Sequence, residues 1–183
     1  MKLRTAAVLL ALAASLLTAC AEQPATGASA PSGEPVVWGD REPVVYAVVV
    51  AEVLDDLGAP PPVVFVVDGV CRQAGQVEPD QLSCAGTIPE AGKRALTSQL
   101  ERYVDVRFVP TAEAAADGGA VRDGGLLFWL GPLKDRKGGE VRVGANYASE
   151  LASEDPLGVN LALEERAGSW TVTGAAGLGG CPA

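Results

Sequence analysis

The 183-residue sequence contains no histidine. That absence removes the Ser-His-Asp and Cys-His nucleophilic arrangements, His-ligated zinc and the commonest general base near neutral pH. Any catalysis would fall to carboxylates, Tyr, Lys or Arg. Aromatic residues make up only 5% of the chain, too few for a platform on which bases or sugars would stack. Positive charge is also scarce: 14 Lys and Arg stand against 23 Asp and Glu, for a formal charge of -9. Such a surface repels nucleic acid and anionic lipid, so no nucleic-acid partner is expected. No apolar run approaches the roughly 20 residues of a spanning helix. No GxGxxG follows a strand and no GKS/T occurs, so DGGAVRDGG (117–125) and KGGE (137–140) read as turns and surface loops rather than phosphate cradles. There is no internal repeat at a fixed period, which argues against a solenoid.

What the chain does have begins at its N-terminus. Met1-Lys2-Leu3-Arg4 is cationic, and Ala6 to Leu17 carries no charge. A positive segment followed by an apolar run of about a dozen residues is the pattern of an export signal. The run ends in Leu17-Thr18-Ala19-Cys20, which resembles the lipobox of bacterial lipoproteins. The resemblance implies that the Cys20 thiol receives a diacylglycerol and that cleavage falls just before it. Residues 1–19 would then be the signal peptide, and Cys20 the first residue of the mature protein. Acyl chains contribute about 0.8 kcal/mol per buried CH₂, so two of them suffice for stable anchoring. Ala21 to Pro35, AEQPATGASAPSGEP, is too poor in apolar residues to form a core. Residues 20–35 therefore read as a lipidated tether with a reach on the order of 20 Å. Residues 36–183 are a normal length for one domain.

Three cysteines remain beyond Cys20: Cys71, Cys84 and Cys181. Export places them in a disulfide-permissive compartment. Cys71 and Cys84 bracket the polar loop CRQAGQVEPDQLSC and are the favoured pair, with Cys181 bridging to one of them as the alternative. Closing that loop would contribute roughly 3 kcal/mol on the chain-entropy model. A lone Cys–x₁₂–Cys spacing is a poor metal signal, so no metal and no cofactor are expected.

Within the folded region, Asp40 to Leu57 is rich in valine, yet its punctuation is helical. Pro43 suits a first turn, Gly58 suits the C′ position, and Pro60-Pro61-Pro62 forbid continuation. Tyr46, Val50, Val53 and Leu57 fall on one face. VVFVVDG (63–69) predicts a short buried strand. Thr87-Ile88-Pro89-Glu90 predicts a capping box opening a helix that turns Ala95, Leu96, Leu100 and Tyr103 inward. VDVRFV (104–109) alternates as a strand does, and TAEAAADGGAVRDGG (111–125) predicts a single helical turn in a glycine-rich loop. Four strand-like segments follow: LLFWLG (126–131), EVRVGANY (140–147), GVNLALEE (158–165) and SWTVTG (169–174). Gly138-Gly139 and Ala167-Gly168 suit hairpin loops between them. The expectation is an α+β fold: helices packed on a curved, largely antiparallel sheet ending in a four-strand meander.

A long first helix, a terminal hairpin and Gly168-Ser169-Trp170-Thr171-Val172 together resemble NTF2-like, cystatin-like α+β domains, in which a Gly-x-Trp-x-Ile/Val element lies near the last strand. The likeness spans most of residues 40–175 in element order. It departs from the family at the strand 63–67, and it carries over no catalytic residue.

Asp55-Asp56 and Glu164-Glu165 are adjacent carboxylates. Neighbours diverge by about 100° on a helix and face opposite sides on a strand, so both pairs read as solvated charge. Asp68 ends a buried strand and can present its side chain to a cleft, although Asp-Gly is also a turn former. The expected function is a membrane-anchored, extracytoplasmic lipoprotein of the bacterial cell envelope. Its domain would be non-catalytic and would bind a small ligand or an envelope protein through the sheet or the 111–125 loop. The alternative is a small cofactor-free NTF2-like enzyme using Asp68 or Glu164 as base.

Overall fold

The computed structural model describes residues 38–72, 74–75, 82–151 and 157–177. Helix α1 (Arg41–Asp56) runs between the punctuation marks read above, with Pro43 in its first turns and Gly58 at φ +70° just past its end. Its inward stripe is Val45, Tyr46, Val49, Val50 and Val53. Leu57 is not part of that stripe. It caps the helix and is 41% exposed, because the helix stops one residue before it could turn inward. Strand β1 (Val63–Val67) is buried at all five positions. Two short strands, β2 (Val70–Cys71) and β3 (Cys84–Ala85), pair antiparallel and are joined by the Cys71–Cys84 disulfide. The favoured pairing is thus the observed one. Cys20 and Cys181 lie outside the described residues.

Helix α2 spans Glu90–Leu100 and does not open with a capping box. Pro89 is the N-cap residue, no side chain caps the helix, and Glu90 turns to Lys93 instead (2.8 Å). The N–H of Ile88, just before the helix, donates to the Asp68 carboxylate at 2.9 Å. Leu96 and Leu100 are buried as expected, but Ala95 is exposed and Tyr103 is 46% exposed. Tyr103 lies past the helix end, in a turn, where its ring carries the Arg102 guanidinium at 4.7 Å.

The remaining strands are β4 (Asp105–Val109), β5 (Ala116–Asp117), β6 (Ala120–Val121), β7 (Leu126–Leu130), β8 (Lys134–Asp135), β9 (Glu140–Ala148), β10 (Leu157–Arg166) and β11 (Ser169–Gly177). The main sheet has the order β11-β10-β9-β7-β1-β4, with β8 added on β9. The class is α+β, and most pairings are antiparallel, but β1 pairs in parallel with both β4 and β7. The cause lies in the connection: β1, α2 and β4 form a strand–helix–strand crossover, which returns the chain in the same direction. The 111–125 segment contains a 3₁₀ turn at Glu113–Ala115 and the β5–β6 hairpin, whose turn glycines Gly118 and Gly119 both adopt positive φ.

Two apolar cores flank this sheet. On one side α1 and α2 pack on Val64, Val66, Leu126, Phe128, Leu130, Val143 and Leu161. On the other, Val63, Phe65, Leu127 and Trp129 are covered by connecting segments that contribute Cys71, Ala74, Ala115 and Val121. Tyr46 pins α1 to the end of β7, its hydroxyl donating to the Gly131 carbonyl at 2.8 Å. Burial of that phenol pushes its pKa up.

Candidate functional site

The second core covers the strands β1 and β7 and touches the end of β9 through Ala148, but among the described residues it includes none of β10 or β11. Side chains alternate along these strands. Val143 and Leu161 therefore face the helices, while Arg142, Gly144, Asn160 and Ala162 face away from them. Pairing register lines up Lys134, Arg142, Ala162 and Gly174 across β8, β9, β10 and β11. An irregularity between Ala162 and Leu163 brings Gly174, not Thr173, opposite Ala162. A β-bulge of this kind inserts one residue and shifts which side chain meets the partner strand. The result is a floor of small residues with cations at its edge.

One wall of this floor is built by the disulfide-linked segment. Ala74 N–H donates to the Cys71 carbonyl (3.1 Å), and Gly75 N–H donates to Oδ1 of the buried Asn146 (2.5 Å). Asn160 Nδ2 in turn donates to the Gly75 carbonyl (2.6 Å). The segment lies so close to the sheet that a Cβ on Gly144 would collide with the Ala74 carbonyl, and one on Gly75 with the Val159 carbonyl. Glycine is required at these two positions by backbone approach, and at Gly75 also by φ +77°. Anchored in this way, residue 72 carries its guanidinium to the cleft edge.

Wall and floor enclose a half-open cleft of about 420 Å³, within the range of small-molecule sites. Its charged lining is Arg72, Lys134, Arg136 and Arg142, with no carboxylate in the lining among the described residues. The nearby acids are drawn elsewhere. Asp135 lies between Lys134 and Arg136 in the chain, but it meets Arg41 of α1 at 2.7 Å, and this contact raises the Arg41 pKa. Glu140 accepts from Arg142 Nε at 2.7 Å. Arg72, Lys134 and Arg136 make no ion pair among the described residues.

The carboxylates weighed from the sequence lie elsewhere. Asp68 has a side chain 18% exposed and is held by Lys93 Nζ at 2.7 Å as well as by the Ile88 amide. That hydrogen bond, followed by the one to Glu90, raises the Lys93 pKa. Glu164 pairs with Arg166 at 2.7 Å on an exposed strand end. Neither Asp68 nor Glu164 lines the cleft. Asp55, Asp56 and Glu165 are exposed. Among the described residues, no cluster of three or more Cys, Asp or Glu could hold a metal, and no helix is long and apolar enough to cross a membrane.

The cationic rim was not foreseen from the sequence. Its signal was present in part: LKDRK (133–137) follows an apolar strand, and Gly144, Ala162 and Gly174 take the outward places in strands whose inward places are valine and leucine. The chain matches no protein-family model, no curated protein and no solved structure.

Proposed function

We propose that this protein is an extracytoplasmic lipoprotein of the bacterial cell envelope, anchored in the membrane by an acylated Cys20, whose α+β domain binds a small ligand without transforming it. The observation that carries the ligand-binding part is the 420 Å³ cleft, lined by four cations and small side chains and, among the described residues, by no carboxylate. A site without a general base, a nucleophile or a metal-ligand set can bind and position but has little with which to transfer protons. The anchoring part rests on the lipobox and the apolar run before it. Included in the proposal is the finer shape of the sheet, curved and ending in a four-strand meander, for which the neighbour order β7, β9, β10, β11 is the support. What supports binding is the cleft and not the NTF2-like resemblance.

Cys20→Ala tests the anchor. The protein should leave the processed membrane fraction and accumulate as precursor or in the medium, whereas unchanged processing and membrane retention would overturn lipidation. A thermal-shift screen of small metabolites tests the binding, using the mature protein solubilised in neutral detergent. At least one compound should raise Tm and be recovered chemically unchanged. Recovery of a converted product would overturn the non-catalytic reading, and no stabilising compound of any class would overturn ligand binding.

A further inference from the structure

We propose that the cleft takes an amphiphilic anion: a phosphate or carboxylate head gripped by the cationic rim and carried on a small apolar body lying along the sheet. This rests on the ligand-binding function proposed above and narrows it to a chemical class.

A chain of formal charge -9 places four cations around one cleft and, among the described residues, no carboxylate in its lining. Two of them, Lys134 and Arg136, flank an aspartate that is turned away to Arg41. Arg142 is answered by Glu140 at 2.7 Å, but Arg72, Lys134 and Arg136 make no ion pair among the described residues, and an anion in the cleft would answer their charge.

Lys and Arg side chains have donors and no acceptor. The neutral polar side chain in the lining, Asn160, already commits its amide N–H to the Gly75 carbonyl. The charged rim therefore asks for a ligand group that only accepts, as ionised phosphate and carboxylate do, rather than a sugar, which must also donate. Guanidinium forks match the paired oxygens of such groups. Gly144, Ala162 and Gly174 present no polar side-chain atom, so the part of the ligand beyond its head gains most by being apolar.

Such a head can come from a free metabolite or from an anionic phospholipid of the bilayer, and both share a phosphate or carboxylate on an apolar body. Isothermal titration of the detergent-solubilised mature protein with hexyl phosphate, hexanoate and hexanol tests the shared chemistry. At least one of the two anions should bind, and hexanol should bind at least about tenfold more weakly, as expected for loss of a charge-assisted contact. Arg72→Ala and Arg136→Ala, both exposed positions, should each lower the anion's affinity about tenfold. Arg102→Ala, a cation outside the cleft lining, should leave it unchanged. The source is read by reconstituting the anchored protein in vesicles with and without phosphatidylglycerol. A Tm rise with phosphatidylglycerol that Arg136→Ala abolishes supports the lipid headgroup, and tight anion binding with no such rise supports the free metabolite. Equal binding of hexanol, or an affinity unmoved by the double Arg72→Ala, Arg136→Ala variant, overturns the anion proposal. A neutral ligand seated in the cleft does the same while leaving ligand binding intact.

Discussion

In β1 every side chain is buried, whereas in β10 buried and half-buried positions alternate. The two strands belong to one sheet, and the difference follows from how each part of it is connected. The parallel neighbours β4, β1 and β7 need a crossover, so α2 lies on one face, while loops and the β5–β6 hairpin close the other. The antiparallel strands β10 and β11 are joined by the two-residue turn Ala167-Gly168, which brings no covering element with it. One half of the sheet is therefore a two-sided core, and the other keeps an outer face on which the cationic cleft is built. The first half is buried on both faces, and the proposed ligand cleft lies on the second.

Substitutions in the two halves should separate along that line. Phe65→Ala removes a fully buried ring from the loop-covered core and should cost about 3–5 kcal/mol, read from denaturant unfolding. A loss below 1 kcal/mol would show that the loops do not form a real second layer. Replacing Cys71 and Cys84 by Ser should cost roughly 3 kcal/mol by releasing the closed loop. It should also weaken anion binding, because Arg72 sits on the wall the disulfide holds. Unchanged affinity would mean that hydrogen bonds from Asn146 and Asn160 hold the wall unaided.

Alkaline pH should act on the covered half. The pKa values of Tyr46 and Lys93 are both raised on folding, the first by burial and the second by its hydrogen bonds to Asp68 and Glu90. A raised pKa means that the folded state holds the proton more tightly. The associated stability is thus complete below the ordinary values of about 10 and is lost as pH climbs through the folded values. Tm should be flat with respect to these two groups from about pH 7 to 9 and fall above about pH 10, less steeply in Tyr46→Phe. An equal slope in that variant would remove Tyr46 from the account. The smallest effect on stability should come from Ala162→Val, on the floor between Arg142 and Gly174. Unfolding should shift by less than about 0.5 kcal/mol, while titration should show weaker anion binding because the added methyl groups fill the cleft.

Most elements were legible because their signals are local. Pro43, Gly58 and the three prolines after it bound α1, and inside-outside alternation marks β9 and β10. The capping box at Thr87 failed for an equally physical reason. Pro89 is the N-cap residue, and the Ile88 amide before it is bonded to the distant Asp68 carboxylate, a partner of which a four-residue motif carries no record. Tyr103 lies past the end of α2 and Ala95 outside its buried stripe, so a helical period drawn through both residues overreaches the helix.

By itself, then, the sequence determined the secondary-structure menu, the histidine-free chemistry and the spacing that lets Cys71 reach Cys84. Those depend on neighbours in the chain, on composition or on a short closed loop. Only the tertiary structure decided that β1 pairs in parallel on both sides, that Asp135 turns to Arg41, and that Arg72 meets Lys134, Arg136 and Arg142 around one floor. Arg72 and Arg142 are 70 positions apart, and they share a cleft because strand register and a docked, disulfide-held loop set their distance. Register is a property of paired strands, so no single stretch of the chain contains it.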